Sequence, residues 1–304
     1  MQISDFFEKY KGTVQELTIG KEGKSVIIGG DSVLPFHSFE GTMTRLPVIA
    51  MEVWDAPPPE NWAEHLRSHF GDVVGSPVLW AKKCVETYGA EMICLYLASL
   101  AEDGEVDVAA VAARVKEVAD AITVPMIVYG VGDKDADTAA LKEIARVCAG
   151  EGLLLGPLVK ENLNEIAEAA MEYGHSVIAQ SPLDINLAKE LNIKLTKFFP
   201  KDKIVMDPMT SALGYGMDYS FSVFERLKHV AVLFGDDMMK MPIIANPGRE
   251  SWRAKEAKLN EQHGILWEAM TTMTLLLAGA NVAIMASPDS MKLVKKMMGQ
   301  FTVS

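Results

Sequence analysis

Cysteine is scarce in this chain, which has three among 304 residues, at Cys84, Cys94 and Cys148. They lie far apart and form no Cys-x-x-Cys pair, which argues against a disulfide framework. Three thiols also fall short of the four thiolates that usually hold an iron–sulfur cluster. We therefore expect no iron–sulfur cluster in this chain.

Basic residues are also in deficit. The 29 Lys and Arg face 41 Asp and Glu, for a net charge of −12, and no basic run stands out. Nucleic acids and anionic membranes require a basic surface, so we expect neither as a partner. The uncharged run 269–288 contains Gly279 and Asn281 and predicts a helix end, a turn and a strand. The opening MQISDFFEKYKG does not match a secretory signal, which favours a cytoplasmic protein.

Half of the residues are hydrophobic (49%), and short apolar runs alternate with amphipathic stretches. The helical pattern is clear in 107–120, where Val108, Val111, Val115 and Val118 fall on one face. Eight runs have the composition of buried strands, and their spacing is that of strand-plus-helix units. These strand candidates are Pro47–Asp55, Glu91–Ser99, Val124–Asp133, Gly152–Gly156, Ser176–Ser181, Lys203–Asp207, Pro242–Asn246 and Asn281–Ser287.

Continuously apolar strands are buried on both faces, which is typical of a parallel sheet covered by helices. Eight such units predict a (β/α)8 TIM barrel, with an open doubly wound sheet as the alternative. Residues 1–304 would form this single domain. Within it, residues 1–46 form an N-terminal extension in which Val14–Ile19 and Ser25–Ile28 make a β-hairpin, expected to cover the barrel floor.

Five strand candidates end directly before a proline, and four of the residues before proline are polar: Ser181, Asp207, Asn246 and Ser287. A residue before proline is held extended, so these side chains should point from the carboxyl ends of the strands, where barrel active sites lie. For Ser181 and Ser287 a helix N-cap is the favoured interpretation. For Asp207 and Asn246 we favour a role at the rim, because long glycine-bearing loops are expected to follow them.

Two further patterns are interpreted as structural. His65 and His69 lie four residues apart without a His-Glu-x-x-His motif, and we expect an exposed pair on a helix. Tyr129–Asp133 resembles a phosphate-binding turn but lacks the third glycine. Since Asp133, Asp135 and Asp137 would repel phosphate and do not complete a calcium loop, a solvated loop is predicted.

Three segments carry a resemblance to a known family: 204–228 with its Leu-Gly-Tyr-Gly, 241–256 with its Gly-Arg-Glu-Ser-Trp, and 34–40. Together they resemble the small subunit of the corrinoid/iron-sulfur protein, a family that includes the delta subunit of the acetyl-CoA decarbonylase/synthase complex. The resemblance extends through most of the chain.

The resemblance implies a barrel subunit paired with a large subunit that holds a [4Fe-4S] cluster and most of the cobalamin contacts. Such an assembly takes a methyl group from methyltetrahydrofolate onto cobalamin and delivers it to acetyl-CoA synthase in the reductive acetyl-CoA pathway of carbon dioxide fixation. Expected partners are the large subunit, the methyltetrahydrofolate methyltransferase and acetyl-CoA synthase/CO dehydrogenase. This chain would shield the cobalamin and dock partners without catalytic or metal-ligating residues of its own.

A corrin is a flat apolar ring edged by amides, so its site needs donors and acceptors around an apolar mouth. The residues expected to contact it are Gln180, Asp207, Thr210, Asn246 and Arg249 through polar groups, Tyr129 and Tyr215 (with Trp252) through apolar edges, and Gly248 through its backbone.

Two alternatives remain open from the residues alone. In one, Asp207 and Arg249 form an ion pair that ties two rim loops together. In the other, the chain is a stand-alone pterin-binding barrel, similar to a methyltransferase or dihydropteroate synthase, with Asp55, Asp207 and Asn246 on the pterin.

Overall fold

The computed structural model describes residues 3–37, 39–41, 43–102 and 106–301. Ser38 of the segment 34–40, and both ends of the predicted domain, lie outside the described residues. An antiparallel hairpin of β1 (Leu17–Lys21) and β2 (Lys24–Ile28) comes first. The parallel strands that follow are β3 (Val48–Trp54), β4 (Met92–Tyr96), β5 (Met126–Tyr129), β6 (Leu154–Leu158), β7 (Ser176–Gln180), β8 (Ile204–Asp207), β9 (Ile244–Ala245) and β10 (Val282–Met285).

These eight strands form one sheet in the order β8-β7-β6-β5-β4-β3-β10-β9. A parallel bridge between Met206 of β8 and Ile243, which directly precedes β9, joins the two ends of the sheet. The predicted (β/α)8 barrel is therefore confirmed, and the doubly wound alternative is wrong. Each predicted strand contains one observed strand, except that β6 continues past Gly156 to Leu158.

Helices cover the outside of the barrel, because their apolar stripes pack on the strands. In the third helix, for example, Val111, Val115 and Val118 are buried as predicted. The helices are α1 (Glu64–Phe70), α2 (Pro77–Glu86), α3 (Val108–Ala121), α4 (Lys134–Val147), α5 (Leu163–Tyr173), α6 (Ile185–Leu195), α7 (Met217–Val232), α8 (Pro247–Arg253), α9 (Glu261–Ala278) and α10 (Pro288–Phe301).

The residues before proline behave differently from one another. Ser287 caps α10 as predicted, since its Oγ accepts from the Ser290 amide at 3.3 Å. The cap prediction for Ser181 is wrong, because α6 begins later and Asp184 accepts from its first amides. The long loop expected after Asn246 is also wrong, since α8 starts at Pro247. Only Asp207 is followed by a long loop, residues 208–216.

The hairpin closes the floor of the barrel, as expected. Leu17, Ile19 and Ile28 are buried in one cluster with side chains of the barrel interior, among them Ala50 and Ile127. The uncharged run 269–288 forms the end of α9, a turn and β10, as predicted. Among the described residues, the helices all lack either the length or the apolar character that crossing a bilayer requires.

Candidate functional site

The carboxyl ends of the strands surround a cavity of about 180 Å³. Tyr129 ends β5, Gln180 ends β7 and Asp207 ends β8, so the parallel sheet brings all three to the same rim. Six of the eight residues expected at the corrinoid line this cavity: Tyr129, Gln180, Asp207, Thr210, Asn246 and Arg249. Barrel active sites occupy this end of the fold, which makes the cavity the candidate site.

A hydrogen-bonded cluster forms one wall. The Tyr129 hydroxyl donates to Asp207 Oδ2, and Gln180 Nε2 donates to the Tyr129 oxygen at 2.8 Å and to Asp207 Oδ2 at 3.1 Å. The Met209 amide donates to Asp207 Oδ1 at 2.8 Å. Burial raises the pKa of Asp207 above its usual value, although these hydrogen bonds oppose the rise. The carboxyl group is thus held rigidly by its neighbours.

Arg249 forms the opposite wall. Its Nε donates to Glu52 Oε2 at 2.9 Å, and its guanidinium lies 3.6 Å from the centre of the Tyr96 ring. Glu52 Oε1 accepts from Trp54 Nε1 at 2.8 Å. Burial lowers the pKa of Arg249, but the Glu52 charge raises it and the net shift is upward. The alternative in which Arg249 pairs with Asp207 is wrong, because Glu52 takes that place.

Two buried polar atoms of the cavity residues lack a hydrogen-bond partner. They are Asn246 Oδ1 and Arg249 Nη2, an acceptor and a donor. The Asn246 side chain makes no cap bond to α8, and its backbone N–H donates to Thr210 Oγ1 at 2.8 Å. An unsatisfied buried group costs about 1–3 kcal/mol, so a small side-chain movement that brings both atoms to a ligand with a donor and an acceptor would be favoured.

A second cavity of about 320 Å³ adjoins the first and shares Tyr96, Arg249 and Arg253 with it. Its lining includes three tryptophans, Trp54, Trp62 and Trp252. Gly248 belongs to this second cavity. A Cβ at Gly248 would lie 2.7 Å from the Ala286 amide nitrogen, so glycine is needed for packing against the end of β10.

Tyr215 lies outside both cavities. It is 51% exposed on the loop 208–216, and its hydroxyl donates to Glu256 Oε2 at 2.9 Å. Asp55, expected in the pterin alternative, is also elsewhere: its carboxylate accepts from the Ser99 amide at 2.9 Å and pairs with Arg114 at 2.9 Å. Of the three residues expected to contact a pterin, only Asp207 and Asn246 line the rim cavity.

Sequence reasoning missed Glu52 and Tyr96. Glu52 is the lone charged residue inside the apolar run of β3, and a charge in a strand buried on both faces was a usable signal. Tyr96, at the end of β4, gave no comparable signal, because an aromatic residue in a buried strand is ordinary.

Two structural expectations are corrected. The solvated loop after Tyr129 is wrong for Asp137, which is buried and accepts from the amides of Val131 at 2.9 Å and Gly132 at 2.8 Å. The exposed histidine pair is also wrong. The His65 side chain is 4% exposed and that of His69 is 21% exposed, and both face α10.

Comparison with known proteins gives the fold and the family separately. Dihydropteroate synthases of Xanthomonas albilineans and Coxiella burnetii superpose with TM-scores of 0.59 and 0.58, over 95% of this chain and 100% of theirs. Their sequences are 13% and 12% identical to this chain, so the likeness concerns the barrel alone.

The proteins found by sequence are more similar to this chain than these structures are. The acetyl-CoA decarbonylase/synthase complex subunit delta of Archaeoglobus fulgidus is 35% identical over 97% of this chain and 70% of its own length. Subunit delta 1 of Methanosarcina thermophila is 35% identical over 91% of this chain, which spans 66% of that relative. A family model described as CO dehydrogenase/acetyl-CoA synthase delta subunit matches residues 16–303. The chain therefore belongs to the CO dehydrogenase/acetyl-CoA synthase delta subunit family.

Proposed function

We propose that this chain is the barrel subunit of a corrinoid methyl carrier and that its rim covers one edge of a cobalamin held mainly by a large subunit. The observation that carries the proposal is the unsatisfied acceptor and donor at the rim, Asn246 Oδ1 and Arg249 Nη2. The edge of a corrin carries carboxamides, each with an acceptor and a donor to match them. When bound, cobalamin supplies the cobalt that carries the methyl group between methyltetrahydrofolate and acetyl-CoA synthase.

The size of the site supports an edge contact. Pockets that enclose drug-sized ligands measure about 300–1,000 Å³, and the rim cavity measures about 180 Å³. A corrin, larger than such ligands, does not fit inside. We infer that a second polypeptide covers the rest of the macrocycle, in agreement with relatives that are named as subunits of a complex.

Each wall of the cavity would have a distinct task. Asn246 and Arg249 would bind amide groups, while Glu52 and the Tyr96 ring hold the guanidinium in place. Asp207 holds Tyr129 and Gln180 on the facing wall. Because Arg249, Tyr129 and Gln180 are held by these contacts before binding, these side chains lose little conformational entropy when a ligand arrives. The chain would thus orient the cofactor and keep water away from it, with no catalytic residue.

The surface beside the mouth supports a docking role. Met209, Tyr215 and Tyr219 are 41%, 51% and 66% exposed on the loop after β8 and the first turn of α7. Exposed apolar side chains next to a polar mouth are typical of protein contact sites. We assign this surface to the large subunit carrying the [4Fe-4S] cluster. The methyltetrahydrofolate methyltransferase and acetyl-CoA synthase/CO dehydrogenase would reach the mouth in turn, in the cytoplasm.

Co-expression with the large subunit tests the proposal. We expect the purified pair to retain corrinoid, measured by visible absorption, and Asn246→Ala to weaken retention about threefold to tenfold, the effect of one lost hydrogen bond. Asn186→Ala, exposed on α6, is the matched control. Equal corrinoid retention by the wild-type pair and the Asn246→Ala pair would contradict the assignment of the rim.

A separate experiment, a titration with methyltetrahydrofolate, tests the pterin alternative. The chain alone is titrated with methyltetrahydrofolate in a calorimeter, and we expect no saturable heat, since Asp55 is engaged away from the cavity. Micromolar binding by the chain without a partner, abolished by Asn246→Ala, would instead support a stand-alone pterin-binding barrel.

A further inference from the structure

The two histidines of α1 meet an aspartate at the start of α10. His69 Nε2 lies 3.0 Å from Asp289 Oδ2, and His65 Nε2 lies 3.7 Å from the same oxygen. One ligand atom from each residue falls within 4.8 Å of the other two. Residues four apart on a helix share a face, which explains why both imidazoles reach one carboxylate. Two imidazoles and a carboxylate form a common ligand set for divalent transition metals.

The outer nitrogens of both rings also face polar groups. His69 Nδ1 lies 3.2 Å from the Tyr88 hydroxyl. His65 Nδ1 lies 3.4 Å from Glu261 Oε1, although no hydrogen bond is completed and the atom is buried without a partner. Metal-binding histidines usually direct one nitrogen to the ion and the other to a carboxylate or similar acceptor that fixes the ring. His69 shows this arrangement, with Nε2 toward Asp289 and Nδ1 toward Tyr88. His65 Nε2 also lies 3.0 Å from Ser287 Oγ, a contact that a cation at this position would replace.

The burial and the charge of this cluster are those expected of a cation-binding site. The side chains of His65, His69 and Asp289 are 4%, 21% and 43% exposed, so the cluster is partly desolvated yet open on the Asp289 side. Asp289 and Glu261 place two acidic groups beside the histidines, and a divalent cation would balance their charge.

We propose that His65, His69 and Asp289 bind one divalent first-row transition-metal cation of the Zn²⁺ class. The site is separate from the rim cavity and does not depend on the proposed function. The cation would tie the first helix of the barrel to the last, across a separation of 220 residues between His69 and Asp289. Because the three ligands come together only in the folded chain, the cation binds the folded state and its expected effect is to stabilise the barrel.

The test uses the full chain, freed of metal with a chelator and titrated with Zn²⁺ in a calorimeter at neutral pH. We expect one equivalent per chain and a higher melting temperature with zinc. His69→Gln and Asp289→Asn should each weaken binding by at least about tenfold, because second-shell changes alone cost that much in metal sites. His229→Gln, on α7, is the matched control and should bind as the wild type does.

The melting temperatures of the metal-free variants show whether each is folded, and Asp289→Asn, at a half-exposed position, provides the result if His69→Gln does not fold. Co²⁺ added in place of Zn²⁺ should give a visible absorption band in the wild type that both ligand variants lose. Failure of the wild type to bind, or equal binding by the wild type and a folded ligand variant, would overturn the proposal.

Discussion

Glu268 has a carboxyl group held entirely inside the protein. Its carboxyl group is fully buried and accepts from Trp252 Nε1 at 2.9 Å, the Ala286 amide at 2.6 Å and the Ser287 amide at 3.1 Å. Burial raises the pKa of Glu268 from 4.5 to about 7, against the effect of these donors. The group joins α9 to the turn that follows β10.

This pKa predicts a pH dependence of stability. Because the pKa is higher in the folded state, the stabilisation from protonating Glu268 is fully present below pH 4.5 and is lost as the pH rises through about 7. Relative to Glu268→Gln, the wild type should lose up to about 3 kcal/mol of unfolding free energy over that range. Urea denaturation at several pH values measures this. Glu168→Gln, exposed on α5, is the control, and an equal pH dependence in wild type and Glu268→Gln would contradict the prediction.

At the scale of elements, the loop between β5 and α4 resembles an anion-binding turn occupied by a carboxylate of the chain itself. Asp137 fills the position, with its oxygens on the Val131 and Gly132 amides. A Cβ at Gly130 would lie 2.2 Å from Asp137 Oδ1, so this glycine is required for the carboxylate to enter. The turn after Tyr129 therefore does present backbone amides to an anion, and that anion is the Asp137 carboxylate of the same chain.

Removal of that carboxylate should cost stability. Asp137→Ala leaves two amide donors without their acceptor, and we expect a loss of about 2–3 kcal/mol in unfolding free energy. The control is Asp135→Ala in the same first turn of α4, where the side chain is 92% exposed and its removal should change little. Chemical denaturation compares the two variants, and equal stability of both would show that the turn does not depend on Asp137.

The strands and the individual loops differ in how well sequence predicts them. Continuous apolar runs predicted all eight strands, because the strands of a parallel sheet covered by helices are buried on both faces. The composition of a loop does not determine which way each of its acidic side chains points. Asp133 caps α4, Asp135 faces solvent and Asp137 turns inward, although the three alternate in one short segment.

At the scale of the whole molecule, closure of the barrel determines which side chains meet at the rim cavity. The positions before proline placed Asp207 and Asn246 at the rim, because strand direction is a local property. The partner of Arg249 is not local: Glu52 lies 197 residues away and reaches it only because β3 and β9 flank β10 in the closed sheet. Such pairs follow from topology and register, which no single segment of the sequence contains.

The predicted single-domain organisation, in which the N-terminal hairpin and the barrel share one core, has a direct test. Ile19 of β1 is fully buried among barrel side chains, and Ile27 of β2 is 39% exposed. Ile19→Ala should cost about 2–5 kcal/mol, as for other buried truncations, and Ile27→Ala well under that. If the hairpin and barrel unfold together, Ile19→Ala lowers the urea midpoint of one transition, with circular dichroism and tryptophan fluorescence still coinciding. Two separate transitions, with only the earlier one shifted, would show that the hairpin unfolds independently of the barrel.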